Sequence, residues 1–182
     1  MLFLLAKYTT FTLRFIILDL FGVDYMLSTM KLSLRGEYAL RALVVLGTHY
    51  PKPVLSIQVI SAQQNIPKRY LEQILNDLKS AGVVQSKRGI SGGYRLAKAP
   101  EKVTLAHVIR HMEGALAPVT CVSERFYKKC SCPDEAKCGI RSVMKEVRDA
   151  IAKILENFTV ADLCQRAQSL ETEQLKRLDF VI

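Results

Sequence analysis

The sequence lacks an uninterrupted apolar run long enough to cross a membrane, which takes about 20 predominantly apolar residues in a helix. Its most apolar segment, residues 1–29, is broken by four charged side chains, Lys7, Arg14, Asp19 and Asp24. No small-residue cleavage site of a secretory signal follows this segment. The sequence therefore predicts neither a membrane-spanning helix nor export.

Residues 1–29 are treated as a separate N-terminal extension. A helix-opening pattern begins directly after Met30, which favours a start codon set too far upstream, with the true start at Met26 or Met30. An additional docking helix and a peripheral membrane anchor are the two alternatives.

The sequence also lacks the signatures of catalysis and of nucleotide binding. No Ser/His/Asp or Cys/His arrangement supplies a nucleophile together with its base and orienting group. The glycine-rich segment 89–93 lacks the GxxxxGK[ST] spacing of a phosphate-binding loop, and no helix pattern directly follows it. These absences argue against an enzyme, so no catalytic residue is assigned.

Basic residues are concentrated in one part of the chain. Residues 30–102 hold twelve Lys or Arg against four Asp or Glu, a net charge of +8. Residues 103–182 hold twelve against eleven, a net charge of +1. A concentrated positive surface attracts phosphate and gains free energy from counterion release, but charge alone does not separate a polyanion-binding face from a merely solvated one.

Apolar spacing predicts three helices followed by a β-hairpin. Steps of three and four residues between Leu34 and Leu46 predict the first helix, and Ser56 offers an N-cap for a second through about Gln63. A third helix is predicted over about residues 68–81, with Gly82 as its stop. Two short strands then flank the glycine-rich turn. This order predicts a mainly α fold with a small β-hairpin wing, a winged helix-turn-helix domain over residues 30–102.

The third predicted helix has the pattern of a DNA-recognition helix, with one buried stripe and an outward face whose N-terminal side chains can reach base edges. An ordinary amphipathic surface helix would explain the periodicity but not the basic hairpin that follows. We expect contacts to double-stranded DNA from the exposed side chains of this helix and from the wing: Lys68, Arg69, Tyr70, Glu72, Gln73, Lys87 and Arg88.

The C-terminal half predicts a linking helix with a loop over residues 103–138, dimerisation helices over 139–168 and a polar, frayed tail over 169–182. A heptad seam runs along the first dimerisation helix and predicts a homodimer interface, the alternative being a core stripe within one chain. Thr159 and Asp162 resemble a capping box that opens a last, short helix. The apolar positions of the seam are Ile140, Met144, Val147, Ile151, Ile154 and Phe158.

Five cysteines occur, and four of them, Cys121, Cys130, Cys132 and Cys138, fall within 18 residues of the predicted loop. The odd number and the clustering predict thiols in a reducing compartment, the cytoplasm, rather than a disulfide framework. The paired knuckles of a structural zinc site are absent from the cluster. Spacing alone favours a metal or iron–sulfur site, with unligated or redox-switching thiols as the alternative. Cys164 is expected to be a small core residue.

Five motifs occur in the chain: Met30-Lys31-Leu32-Ser33, Gly36-x-Tyr38-Ala39-Leu40, Tyr70-Leu71-Glu72-Gln73-Ile74-Leu75, Leu78-x-x-Ala81-Gly82-Val83-Val84 and Arg88-Gly89-x-x-Gly92-Gly93-Tyr94-x-Leu96. Together they resemble the Rrf-type bacterial transcription regulators, which include IscR-like and NsrR-like iron–sulfur regulators. The resemblance runs from Met30 to about Ala167 and implies homodimeric winged-helix proteins that bind palindrome-like operators. It also makes Met30 look like the usual start of the family.

The resemblance also implies a ligand set for the cysteine loop. Cluster-carrying members use three cysteines, the last two separated by five residues, a spacing that Cys132 and Cys138 fit, with Cys121 as the first ligand and Cys130 as an alternative to Cys132. Where IscR-like relatives place a ligating histidine, this chain has Arg141, which cannot ligate. Other relatives recruit an acidic residue from the partner subunit's first helix, and Glu37 stands at that place.

These observations predict a cluster-responsive transcription regulator, with a 2Fe-2S cluster favoured over a 4Fe-4S cluster. Control of iron–sulfur cluster biogenesis is the favoured output. A nitric-oxide or redox-sensing repressor of the same family and a zinc-stabilised protein-interaction module are the alternatives. His107 and His111 share one face of the linking helix, opposite its apolar stripe, and are expected to be exposed rather than metal-bound.

Overall fold

A computed structural model describes residues 32–179, so the N-terminal extension and the end of the tail lie outside the described residues. Six α-helices and one antiparallel hairpin make up this part of the chain, and none of these helices is both long and apolar enough to span a membrane. Their bounds are α1 Leu34–Thr48, α2 Ile57–Gln64, α3 Lys68–Ser80, β1 Val84–Lys87, β2 Gly93–Leu96, α4 Leu105–Glu113, α5 Gly139–Asn157 and α6 Val160–Asp179.

Helices α1 to α3 form around one apolar core, as the sequence predicts. Hydroxyl N-caps begin two of them, because the Gly36 backbone N–H donates to Ser33 Oγ and the Val59 N–H donates to Ser56 Oγ. Asn65 takes a left-handed conformation, with φ of 50°, and turns the chain from α2 into α3. The predicted buried stripe of α3 is confirmed, since its members are at most 1% exposed: Leu71, Ile74, Leu75 and Leu78.

The hairpin follows α3 after a tight turn at Gly82, and its second strand bonds to the segment that connects α1 and α2. Gly82 has a φ of 68° and ends α3 where the sequence predicts. Strand β2 pairs with β1 and also bridges Leu55, whose backbone N–H donates to the Tyr94 carbonyl over 2.9 Å. A Cβ at Gly93 would collide with the Leu55 carbonyl, so this close approach requires glycine. The wing is thereby held against the helical core.

The C-terminal helices return to the winged domain. The predicted capping box is present, because the Thr159 N–H donates to Asp162 Oδ2 over 2.8 Å and the Asp162 N–H donates to Thr159 Oγ1. Helix α6 packs on α1, and Cys164 is 7% exposed within the shared core, as the sequence predicts.

The prediction of a short last helix with a frayed tail beyond Ser169 was wrong. Helix α6 is 20 residues long and continues to Asp179. Its second half is polar but rich in Gln, Glu, Lys and Leu, which have high intrinsic helix propensity, so polarity did not mean a broken helix here. Leu170 and Leu175 remain exposed on this extension.

Candidate DNA-binding surface and cysteine site

The outward face of α3 presents the predicted DNA-contacting side chains to solvent. Lys68, Arg69, Tyr70, Glu72 and Gln73 are all exposed, while the opposite stripe fixes the helix on the core. The arrangement leaves the first two turns of α3 available for a groove of DNA.

Aromatic and basic contacts from α1 hold the start of α3. The Tyr70 ring meets the Tyr38 ring edge-on, with centroids 5.8 Å apart, and the Arg41 guanidinium lies over the Tyr38 ring, 5.2 Å from its centroid. The Arg41 guanidinium also donates to the Gln64 carbonyl at the α2–α3 turn. Sequence reasoning missed this role of Arg41.

The wing places two cations beside its turn. Lys87 ends β1 and Arg88 follows it, and both side chains are exposed. The turn between the strands also carries Ile90, whose side chain is fully exposed. Strand β1 of the wing contacts α3 directly. Burial first, and then the Glu72 carboxylate, raise the pKa of Tyr94 on the other strand.

The four clustered cysteines lie at the junction of the loop and α5. Cys121 is buried in a single 3₁₀ turn, Thr120–Val122, whereas Cys130, Cys132 and Cys138 are half-buried. The Cys132 and Cys138 sulfurs are 3.5 Å apart, and Cys130 lies beside both Cys121 and Cys132. The fold thus brings all four predicted thiols into one neighbourhood.

Cys138 is the N-cap of α5, and its sulfur accepts a hydrogen bond from the Arg141 backbone N–H over 3.4 Å. This bond, together with the neighbouring Cys132 thiol, lowers the pKa of Cys138 below the ordinary value. Hydrogen bonds to Cys130 and Cys138 raise the pKa of Cys132 to about 12. Cys138 therefore loses its proton more readily than Cys132.

A carboxylate and a phenol complete the cysteine site, and sequence reasoning missed both. Glu135 Oε1 accepts from the Cys130 N–H over 3.2 Å and from the Cys130 thiol over 3.5 Å, and Tyr127 Oη donates to Glu135 Oε2 over 2.8 Å. The Tyr127 hydroxyl, followed by the Cys130 N–H, lowers the pKa of Glu135. The sequence does hold a signal for Glu135, because this acidic residue lies between Cys132 and Cys138.

The donor set of this site fits a thiophilic metal centre. Two thiolates on one tetrahedral metal stand about 3.8 Å apart, if each metal–sulfur bond is about 2.3 Å long. The 3.5 Å between Cys132 and Cys138 is close to that spacing. Within residues 32–179, however, no group of three His, Cys, Asp or Glu side chains is arranged to hold a metal ion. The sulfurs instead contact one another in pairs.

Two arginines tie the loop to α5. Arg141 Nε donates to the Cys121 carbonyl over 3.3 Å, and Arg148 Nη1 donates to the Val122 carbonyl over 2.6 Å. Arg148 also pairs with Asp149, and its side chain is only 14% exposed. The residue that departs from the IscR-like pattern, Arg141, therefore fastens the first cysteine to the helix.

The remaining predicted ligand, Glu37, lies on the first turn of α1. Its carboxylate pairs with Arg41 over 3.2 Å, and no hydrogen bond or ion pair within residues 32–179 joins it to a cysteine. His107 and His111 are exposed on α4, as predicted, and His107 Nε2 lies 3.1 Å from the Ala81 carbonyl oxygen.

The heptad seam of α5 is not buried within the single chain. None of the residues of α5 is buried, and Ile140 and Ile154 are 72% and 56% exposed. Met144, Val147 and Ile151 are half-buried, and Phe158, directly after the helix, stacks with Arg166 at 4.4 Å. A 19-residue helix with this much uncovered apolar surface presents one face for packing.

Comparison with known proteins gives one consistent answer. The profile of the Rrf2 family, described as an iron-dependent transcriptional regulator, matches residues 32–166. A helix-turn-helix transcriptional regulator from Rhodobacter capsulatus, described as rrf2-like, is 41% identical over 131 residues, which cover 70% of this chain and 87% of that protein.

Two solved structures share the fold. The structure of CymR, the global cysteine regulator of B. subtilis, has a TM-score of 0.64 and 30% identity, and the match covers 76% of this chain and 98% of that one. The structure of T. potens IscR has a TM-score of 0.60 and 28% identity, and the match covers 75% and 88% of the two chains. Both matches support the winged-helix architecture.

Proposed function

The chain belongs to the Rrf2 family of transcriptional regulators, and we propose that its operator binding responds to an iron–sulfur cluster held by the cysteine loop. Membership of the family makes it a DNA-binding transcription regulator rather than an enzyme. The observation that carries the finer proposal is the pair of sulfurs, Cys132 and Cys138, 3.5 Å apart at the N-terminus of α5.

The DNA-binding half of the proposal rests on exposed polar side chains at two neighbouring elements. Gln73 can pair bidentately with adenine and Glu72 can accept from cytosine, while Lys68 and Arg69 reach phosphate or guanine. Tyr70 lies between them. Arg88 extends the contact to the minor groove beside the wing, and Lys87 next to it reaches phosphate. The net charge of +8 on residues 30–102 supplies the long-range attraction to a duplex.

The cysteine ligands in this proposal are Cys121, Cys132 and Cys138, with Cys130 as the alternative to Cys132. The fourth ligand that the family resemblance implies is Glu37 of a second chain. A 2Fe-2S cluster is favoured and a 4Fe-4S cluster is the alternative. When bound, such a group supplies a redox-active centre that reacts with oxidants and nitric oxide. Thiolate ligands suit iron–sulfur clusters, and the start of α5 favours negative charge there.

Homodimerisation connects the two functions. We assign the interface to the uncovered seam of α5, Ile140, Met144, Val147, Ile151, Ile154 and Phe158, because a heptad repeat buries its apolar positions against another helix. Arg141 and Arg148 bond loop carbonyls to this helix, so a change of order in the loop acts directly on α5. A bias of a few kcal/mol between two spacings of the recognition helices suffices to switch operator occupancy.

We place the protein in the cytoplasm and favour control of iron–sulfur cluster biogenesis as its output. The family description as iron-dependent supports this choice. The runner-up is a nitric-oxide or redox-sensing repressor with the same ligands. A zinc-stabilised interaction module is the alternative from another class.

The test is DNA binding across a salt series, with anaerobically loaded protein and apoprotein compared on operator fragments selected from random duplexes. We expect a steep fall of affinity with salt, as phosphate contacts require, and at least a tenfold affinity difference between the two forms. Metal analysis of the same preparation must find iron with sulfide. Equal affinities would reject the cluster response, and zinc alone would support the interaction module.

A further inference from the structure

Glu135 is the only carboxylate that the hydrogen bonds of residues 32–179 join to a cysteine side chain. Its Oε1 lies 3.5 Å from Cys130 Sγ, the same separation as that between the Cys132 and Cys138 sulfurs. A sulfur and an oxygen on one tetrahedral metal stand about 3.6 Å apart when the bonds are about 2.3 and 2.1 Å long. The carboxylate therefore already has the spacing of a ligand relative to a thiol of the site.

The carboxylate is also held in place by two donors. Tyr127 Oη donates to Oε2 over 2.8 Å, and the Cys130 backbone N–H donates to Oε1 over 3.2 Å. Ligating carboxylates in proteins are oriented by hydrogen bonds of this kind from outside the metal's own ligand shell. Glu135 is half-buried, so this orientation persists at the edge of the site rather than in open solvent.

The neighbouring carboxylate faces its own turn instead. Asp134 Oδ1 accepts from the Ala136 N–H over 2.9 Å, and Asp134 Oδ2 pairs with Lys137 over 3.6 Å. Glu37, the acidic ligand expected from a second chain, is engaged by Arg41 on α1. Of these three acidic residues, Glu135 alone is directed at the sulfurs within the chain.

We propose that Glu135, oriented by Tyr127, is an oxygen ligand of the metal centre in the cysteine loop, that it binds beside Cys130, the alternative cysteine ligand, and that the same chain supplies it. The proposal rests on the proposed iron–sulfur function of that loop. In this arrangement Glu135 replaces the Glu37 carboxylate of a second chain, the fourth ligand that the family resemblance implies.

The test compares single variants after reconstitution with ferrous iron and sulfide. Glu135→Gln removes the anionic ligand but keeps an oxygen that can accept from Cys130 N–H, and Asp134→Asn is the matched control from the same turn. Glu37→Gln tests the competing ligand. The readouts are iron per subunit, the visible circular dichroism spectrum and the electron paramagnetic resonance of the reduced protein.

We expect Glu135→Gln to shift both spectra or to lower iron loading at least tenfold, with Asp134→Asn and Glu37→Gln like the parent. A parent-like Glu135→Gln protein, or a spectral change in Glu37→Gln alone, would overturn the proposal. If the apo form of Glu135→Gln unfolds at a lower temperature than the parent, the Tyr127→Phe variant is measured as well. A smaller spectral shift of Tyr127→Phe in the same direction supports the proposal, and a parent-like spectrum of Tyr127→Phe overturns it. A parent protein that takes up no iron and sulfide would instead reject the proposed function itself.

Discussion

At the scale of single residues, the cysteine site derives its chemistry from the backbone that surrounds it. As the N-cap, Cys138 accepts a hydrogen bond from a backbone N–H and lies at the positive end of the α5 dipole. The Cys132 side chain instead contacts the thiols of Cys130 and Cys138. Two cysteines six positions apart therefore differ in acidity although their side chains are identical.

This difference predicts unequal alkylation of the reduced apoprotein. A lowered pKa means that the Cys138 thiolate persists at pH values below 9.0, whereas Cys132 forms its thiolate only towards pH 12. At pH 8 we expect iodoacetamide to modify Cys138 at least about ten times faster than Cys132, because the thiolate is the nucleophile. Peptide mass spectrometry over a time course measures both rates. Cys164, whose pKa burial raises, is the internal control for a slow thiol; equal rates at Cys132 and Cys138 would contradict the assignment.

The residues that sequence reasoning missed act through tertiary contacts. Arg41 reaches a carbonyl 23 positions later in the chain, and Arg148 reaches one 26 positions earlier. Spacing cannot reveal such partners, because neither periodicity nor a motif links them. Glu135 was missed for another reason: the resemblance directed attention to Glu37, an acidic residue outside the loop.

At the scale of secondary structure, the winged domain follows closely from the sequence. The hydroxyl cap at Ser56, the glycine stop at Gly82 and the four-residue stripe of α3 are local signals, and each determines a boundary or a face directly. Helix α6 shows the limit of this approach. Its extension depends on intrinsic propensity in a polar segment, and periodicity gives no sign of that.

The recognition helix and the wing are expected to differ in what they contribute to DNA binding. Gln73→Ala should weaken binding to the preferred operator by about 1–3 kcal/mol while leaving random duplexes nearly unaffected, because an amide can read adenine. Lys87→Ala should weaken binding to every duplex and lower the salt slope by about 1, because a lysine on phosphate carries no sequence information.

Fluorescence anisotropy with operator and scrambled duplexes at several salt concentrations separates the two effects. Lys79→Ala, an exposed cation in the last turn of the same helix, is the matched control. A uniform loss for Gln73→Ala would place that side chain on the phosphate backbone instead of on a base.

At the scale of the whole molecule, the charge and the apolar surface are segregated. The basic excess lies in residues 30–102, whereas the uncovered apolar seam lies on α5. A dimer formed through α5 would present two basic winged domains together and would cover apolar surface that the single chain exposes. This division of surfaces was predictable from charge counts and heptad spacing, but the absence of burial along α5 required the structure.

The dimer proposal predicts a specific response to charge placed on the seam. Ile154→Glu should leave the fold of the chain intact, since the side chain is 56% exposed, but should oppose association by placing two carboxylates in an apolar interface. The neighbouring Lys153→Glu, which changes charge outside the seam, is the matched control. Light scattering after size exclusion should give half the parent mass for Ile154→Glu only, and operator affinity should fall with it because one winged domain loses its partner. If Ile154→Glu had the mass and the operator affinity of the parent, the seam of α5 would not be the dimer interface. Loop order would then have to act on operator binding through residues other than Arg141 and Arg148.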